Sequence, residues 1–180
     1  MIEYNINCIN FTQLRFGLAN HRISAQQKGL IVSGKLTRAI MFKDLQLKWT
    51  THPDNKYSGR RYLDFIVSGQ SLRDYLGIKN KSSVTLFGFF PIREEQIKAL
   101  KEFRLQQKPQ LPGNRIELYV CENCGDIGCG AVTAKIIDRG DRIVWTEFAK
   151  QSDQGEIGER IGAEEIEFER QNYFKAFSTN

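Results

Sequence analysis

Residues 121–131 read C-E-N-C-G-D-I-G-C-G-A, so three of the four cysteines in this 180-residue chain fall within nine positions. Clustered thiols can do two kinds of chemistry. As thiolates they can hold a soft or borderline metal ion, and C-x-x-C-G is the shape of a metal knuckle. The first cysteine ends a strand, and the glycine lets the chain curl until backbone N–H groups point at sulfur. As a dithiol they can exchange electrons, but redox C-x-x-C pairs usually open a helix whose N-terminus lowers the thiol pKa, and this one follows a strand-like run. A closed zinc site needs four ligands, commonly two from each of two knuckles. No second C-x-x-C or H-x3-H is present, which leaves Cys8, His21 and His52 as upstream candidates. A turn with no metal is the simpler reading: Gly125, Asp126 and Gly128 are turn residues, and cysteines at strand ends often serve as small hydrophobes. No cofactor is assigned from the sequence. If Cys121, Cys124 and Cys129 hold an ion, zinc is the expected one, with Cys8, a histidine or water as fourth ligand.

Acidic residues form the second cluster. Asp153, Glu156, Glu159, Glu164, Glu165, Glu167 and Glu169 face Arg160 alone within 153–169. They are candidates for contact with a basic protein partner, because opposite charge steers encounter. A solvated face is the plainer account, with Glu165, Glu167 and Glu169 outward on a strand and Ile166 and Phe168 inward. The net charge of +5 conceals this asymmetry. Residues 1–115 carry 19 Lys/Arg against 8 Asp/Glu, and residues 116–180 carry 7 against 13. Arg60, Arg61, Lys79, Lys81, Lys98, Lys101, Arg104 and Lys108, with Tyr57, Tyr62 and Tyr75 among them, suit phosphate contact and stacking. The acidic C-terminal third repels the same backbone, and that argues against nucleic acid. His52, before Pro53, reads as a surface imidazole. Neither G-x-G-x-x-G, G-x4-G-K-[ST], H-E-x-x-H nor G-x-S-x-G occurs, so no catalytic residue is assigned.

The elements that position these residues follow from periodicity. Arg115–Cys121 alternates and is β-branched or aromatic. Cys129–Ile137 reads as its returning strand, and 142–148 follows a turn at Asp138-Arg139-Gly140-Asp141. Strands are also expected at Ile2–Ile9, Gly29–Leu36, Ala39–Trp49 (with a bulge at Lys43–Asp44), Tyr62–Val67 and Val84–Phe90. The span 11–28 is ambiguous between helix and loop. A short helix is expected over Ser71–Leu76 and a longer one over 93–107, with Ile97, Leu100 and Phe103 as its buried stripe. Residues 150–163 read as a mobile loop, Ile166 and Phe168 as an edge strand, and Glu169–Phe177 as a final helix. The expected fold is therefore α+β, mainly antiparallel sheet with two or three helices in a single domain spanning 1–180. No apolar run approaches the ~18 residues a bilayer crossing needs, and the N-terminus lacks a secretory pattern, so a cytoplasmic protein without membrane contact is expected.

From residue 61 onward the chain resembles a group of small, uncharacterised bacterial proteins. The resemblance lies in Arg61-Tyr62-Leu63-Asp64-Phe65, the block Leu118–Ala131 with its three cysteines, and Ile143-Val144-Trp145-Thr146-Glu147-Phe148. Some members look like immunity proteins of contact-dependent growth inhibition and related polymorphic toxin systems. That resemblance implies a non-enzymatic protein that binds and neutralises a cognate toxin domain, with a nuclease as the expected toxin. The acidic strip is then the candidate contact, mimicking the phosphates of the toxin's substrate. The alternatives are a zinc-stabilised nucleic-acid-binding module and a thiol oxidoreductase.

Overall fold

The structure, a computed structural model, describes residues 41–52, 56, 59–79, 82–90, 93–152, 154–162 and 165–178. The expected elements before residue 41 lie outside these residues, as do Cys8, His21, Asp153 and Glu164. The described residues belong to one compact unit, Ala39–Asn180, of α+β class with antiparallel sheets.

Among the described residues nine strands and three α-helices run in the order β1 (Leu45–Thr51), β2 (Arg61–Val67), β3 (Gln70–Ser71), α1 (Leu72–Tyr75), β4 (Ser83–Val84), α2 (Arg93–Phe103), β5 (Ile116–Cys121), β6 (Ala131–Asp138), β7 (Arg142–Gln151), β8 (Ile157–Arg160), β9 (Glu165–Glu169) and α3 (Arg170–Ala176). Strands β1, β2 and β3 make one sheet. The other runs β4-β5-β6-β7, and both β8 and β9 pair with the far edge of β7. The β6–β7 hairpin turns as expected, with Gly140 at φ +89° and its N–H donating to Asp138 Oδ1 at 2.9 Å.

Aromatic rings join the two sheets. Phe65 on β2 is fully buried and meets Trp145 at 5.4 Å and Phe103 at 5.3 Å between ring centroids. Phe103 stacks on Phe177 at 5.0 Å. Rings of this size supply most of the apolar area removed from water, and edge-to-face pairs add about 1 kcal/mol each. Two polar groups are buried with them and are fully partnered. Asp64 accepts from Tyr119 Oη (2.8 Å), Ser71 Oγ (2.7 Å) and the Phe65 N–H (2.9 Å). Arg115, wholly inaccessible, donates to Thr133 Oγ1 (2.8 Å), to Thr133 O (3.0 Å) and to the Glu147 carbonyl. Glu147 sits at φ +54° where the β6–β7 register shifts, a bulge that aims this carbonyl at the guanidinium.

Several expectations are corrected. Val84–Phe90 is not a central strand: only Ser83–Val84 pair with β5, and the chain then turns through Gly88 at φ +79°. Phe87 thereby joins the main core while Phe89 packs with Tyr62 and Val84. The buried face of α2 is Ala99, Glu102 and Phe103, and Ile97 is 44% exposed. Residues 150–163 are not a loop throughout, because β7 runs on to Gln151 and β8 occupies Ile157–Arg160. At Lys43–Asp44 the chain passes from one sheet to the other instead of bulging. Lys43 bridges to Phe168 of β9, and β1 begins at Leu45 beside β2.

Candidate metal centre

Strand β5 ends on Cys121, and the chain then curls. Gly125 N–H donates to Cys121 O at 2.8 Å, closing the turn, with Gly125 at φ +67°. A Cβ there would stand 3.2 Å from the Phe90 ring, so the turn needs glycine for its backbone angle and for the approach of that ring. A 3-10 turn, Ile127–Cys129, follows. Asp126 caps it by accepting from Gly128 N–H at 2.5 Å, and Gly130 at φ +87° returns the chain into β6.

These local choices bring the three expected cysteines together. One ligand atom from each lies within 4.8 Å of the others, and Cys124 Sγ is 3.4 Å from Cys129 Sγ. Cys124 and Cys129 are exposed, Cys121 is half-buried, and all three are free thiols. A disulfide needs about 2.05 Å between sulfurs, whereas three thiolates around one zinc at about 2.3 Å stand about 3.8 Å apart. The spacing here, 3.4 Å for one pair and within 4.8 Å for all three, excludes a disulfide bond in this structure and is compatible with a shared ion. Burial works against ionising Cys121, but the backbone N–H groups of Asn123 and Cys124 and the two neighbouring thiols outweigh it and hold the thiol below its ordinary value. Those two N–H groups, two and three residues past the first cysteine, are the knuckle contacts anticipated from C-x-x-C-G. Cys129 is pushed up to about 11 by its hydrogen bonds to the Cys124 and Cys121 thiols. Of these two thiols Cys121 is therefore the more easily ionised.

The residues around the knuckle hold it in place. Glu122, inside the C-x-x-C, donates its N–H to Ser82 O at 3.2 Å, and its carboxylate lies 2.8 Å from His52 Nε2. Lys56 Nζ donates to Asn123 Oδ1 at 3.1 Å. His52 is 4% exposed and packs against the rings of Tyr62 and Phe89, which corrects its reading as a surface imidazole. The sequence carried one sign of this pairing, an acid placed inside the knuckle. Nothing local marked the histidine 70 positions earlier as its partner.

The acidic residues are not gathered into one free strip. Glu156 and Glu159 are exposed. Glu165 pairs with Arg139 at 3.1 Å, and Glu167 with Arg142 at 3.4 Å. Glu169 caps α3, accepting from Gln171 N–H (3.1 Å) and Asn172 N–H (2.8 Å). Ile166 and Phe168 point inward as expected, each 1% exposed. A second acidic group carries no sequence signal. Glu117 on β5 and Glu102 on α2 line a small cavity with Glu95, Lys98 and Gln110. Desolvation first, then the charges of Glu102, Glu95 and Asp126 against the opposing Lys98, push Glu117 up to about 7. Desolvation also raises Glu102.

The arrangement defines an antiparallel α+β protein with a three-thiol knuckle at a hairpin tip. No family model, no curated protein and no solved structure matches the chain, so the chemistry of the site is what speaks to its activity. Among the described residues no helix is long and apolar enough to cross a membrane.

Proposed function

We propose that the chain is a zinc-binding protein whose ion sits on Cys121, Cys124 and Cys129 and clasps the β5–β6 hairpin. The observation that carries this reading is the convergence of three sulfurs within 4.8 Å, with two knuckle N–H groups on Cys121. Thiolate ligands suit zinc over hard cations such as magnesium. Two of the three thiols are exposed, so the fourth position faces outward, where water or a ligand beyond the described residues completes the tetrahedron. The ion ties the end of β5, the turn and the entry to β6 into one unit, so its binding free energy adds to folding. The acidic strip supports toxin binding less well, because Glu165, Glu167 and Glu169 are engaged within the fold.

The test is elemental analysis of protein purified without a histidine tag, alongside Cys124→Ser and chelator-treated protein. The expected result is about one zinc per chain, lost in the variant, with chelation lowering the melting temperature. Zinc well below one per chain, with the thiols fully titratable under zinc-replete expression, overturns the proposal.

A further inference from the structure

The three thiols of the knuckle are not equivalent. Cys121 closes β5, where its backbone pairs with Ser83 of β4, and its side chain is half-buried. Cys124 and Cys129 lie beyond that strand end, on the turn, and both are exposed. Their Sγ atoms stand 3.4 Å apart in hydrogen-bond contact. That is about 1.4 Å more than a disulfide bond, a gap that small rotations of two exposed side chains on a turn can close. Cys121 is tied to its strand and is less accessible to an oxidant in solution. The C-x-x-C spacing marks Cys121 and Cys124 as the dithiol, whereas the fold brings Cys124 against Cys129, five positions on.

We infer that Cys124 and Cys129 are a redox-modification site, closing to an intramolecular disulfide with a small disulfide oxidant of the glutathione class and leaving Cys121 as a free thiol. In the first step the thiolate of one cysteine attacks a sulfur of the oxidant. A mixed disulfide forms and one small thiol leaves. In the second step the other cysteine attacks the protein sulfur of that mixed disulfide, forming the Cys124–Cys129 bond and expelling the second small thiol. The pair gives up two electrons, the oxidant is reduced to two thiols, and the two cysteine protons end on them. Where the thiolates hold zinc, as proposed above, the same exchange removes two of three protein ligands. Cys121 alone is too few to keep the ion, so Zn2+ leaves and the small thiolates take their protons from water. This consequence rests on the zinc reading, and the disulfide itself does not. The oxidised knuckle is then bonded only within the turn, and its tie to the end of β5 is lost.

The experiment uses the full chain, stripped of metal by chelator and incubated with oxidised glutathione. Free thiols are then alkylated, and the unreduced protein is digested and mapped by mass spectrometry. Cleavage at Glu122 and Asp126 places the three cysteines on separate peptides. The expected product is a Cys124–Cys129 link with Cys121 alkylated. Cys121→Ser should give the same link at a similar rate. Cys124→Ser and Cys129→Ser should each slow intramolecular closure at least about tenfold and accumulate the mixed disulfide, because the partner held in contact is gone. A dominant Cys121–Cys124 link, a link to Cys8, or mixed disulfides alone in the wild type overturns the inference. Zinc-loaded protein is oxidised in parallel with a chromogenic chelator present. About one zinc released per disulfide formed supports the coupling, and a disulfide formed with zinc retained refutes it. A chain that never loads zinc refutes the zinc reading, while the map of the stripped protein still decides the pairing.

Discussion

Glu117 should make the protein less stable as the solution passes from mildly acidic to neutral, and Glu117→Gln should abolish that loss. In the unfolded chain this carboxyl ionises near 4.5, whereas in the fold it holds its proton until about 7. Between those values the native state binds more protons than the unfolded state, so unfolding free energy falls as pH rises and levels off above about 7. The contribution is intact below 4.5 and lost above 7. A displacement from 4.5 to about 7, at about 1.36 kcal/mol per pH unit, sets a ceiling of about 3 kcal/mol, and about 2 kcal/mol is reasonable for a partly exposed side chain. The assay is urea unfolding of wild type and Glu117→Gln at intervals from pH 4.5 to 8.5. Comparing the two proteins cancels most of what other groups contribute, the cysteines included. The stability difference should move in favour of the variant by about 2 kcal/mol across the range, most steeply between pH 5 and 7. Parallel curves would show that Glu117 titrates normally, and the account of a desolvated, carboxylate-crowded site would fall with them.

Two further outcomes test the frame around the sites. Arg115→Ala should cost about 3 kcal/mol in chemical denaturation, because it strips partners from Thr133 and from the Glu147 carbonyl at the bulge; a loss under about 1 kcal/mol would deny the network that role. Gly162→Ala should cost about 2–3 kcal/mol, since its Cβ would stand 2.8 Å from Leu76 Cα at φ +65°. Gly140→Ala, at φ +89° with nothing within 4 Å, should cost only about 1 kcal/mol, and equal melting-temperature losses would refute the contact argument.

The parts of this protein that depend on neighbours in sequence were legible in it. Alternation over 116–121 and 142–148, the Asp-Arg-Gly-Asp turn, and the glycine-rich C-x-x-C-G are governed by the strand's period of two and by positive φ, so β5, β6, β7 and the thiol cluster could be anticipated. The inward Ile166 and Phe168 belong to the same group. Helix α2 was legible as a helix but not in its facing. A stripe through Ile97 and one through Ala99 and Glu102 are both compatible with the period of 3.6, and only the position of β5 and the aromatic core selects between them.

Tertiary structure decided everything that joins distant positions. The apolar run at 84–90 suits a central strand, yet its rings serve two separate clusters, and a turn at Gly88 is the backbone's way of reaching both. Likewise His52 became the partner of Glu122, Arg115 the centre of a buried network, and Glu117 the neighbour of Glu102. A side chain's protonation and partners depend on what is packed against it, and that packing comes from segments tens of residues away. The sequence by itself settled which thiols would meet, because a turn of nine residues is a local object. The fold alone settled which charges would be buried together, because burial is a property of the assembled core.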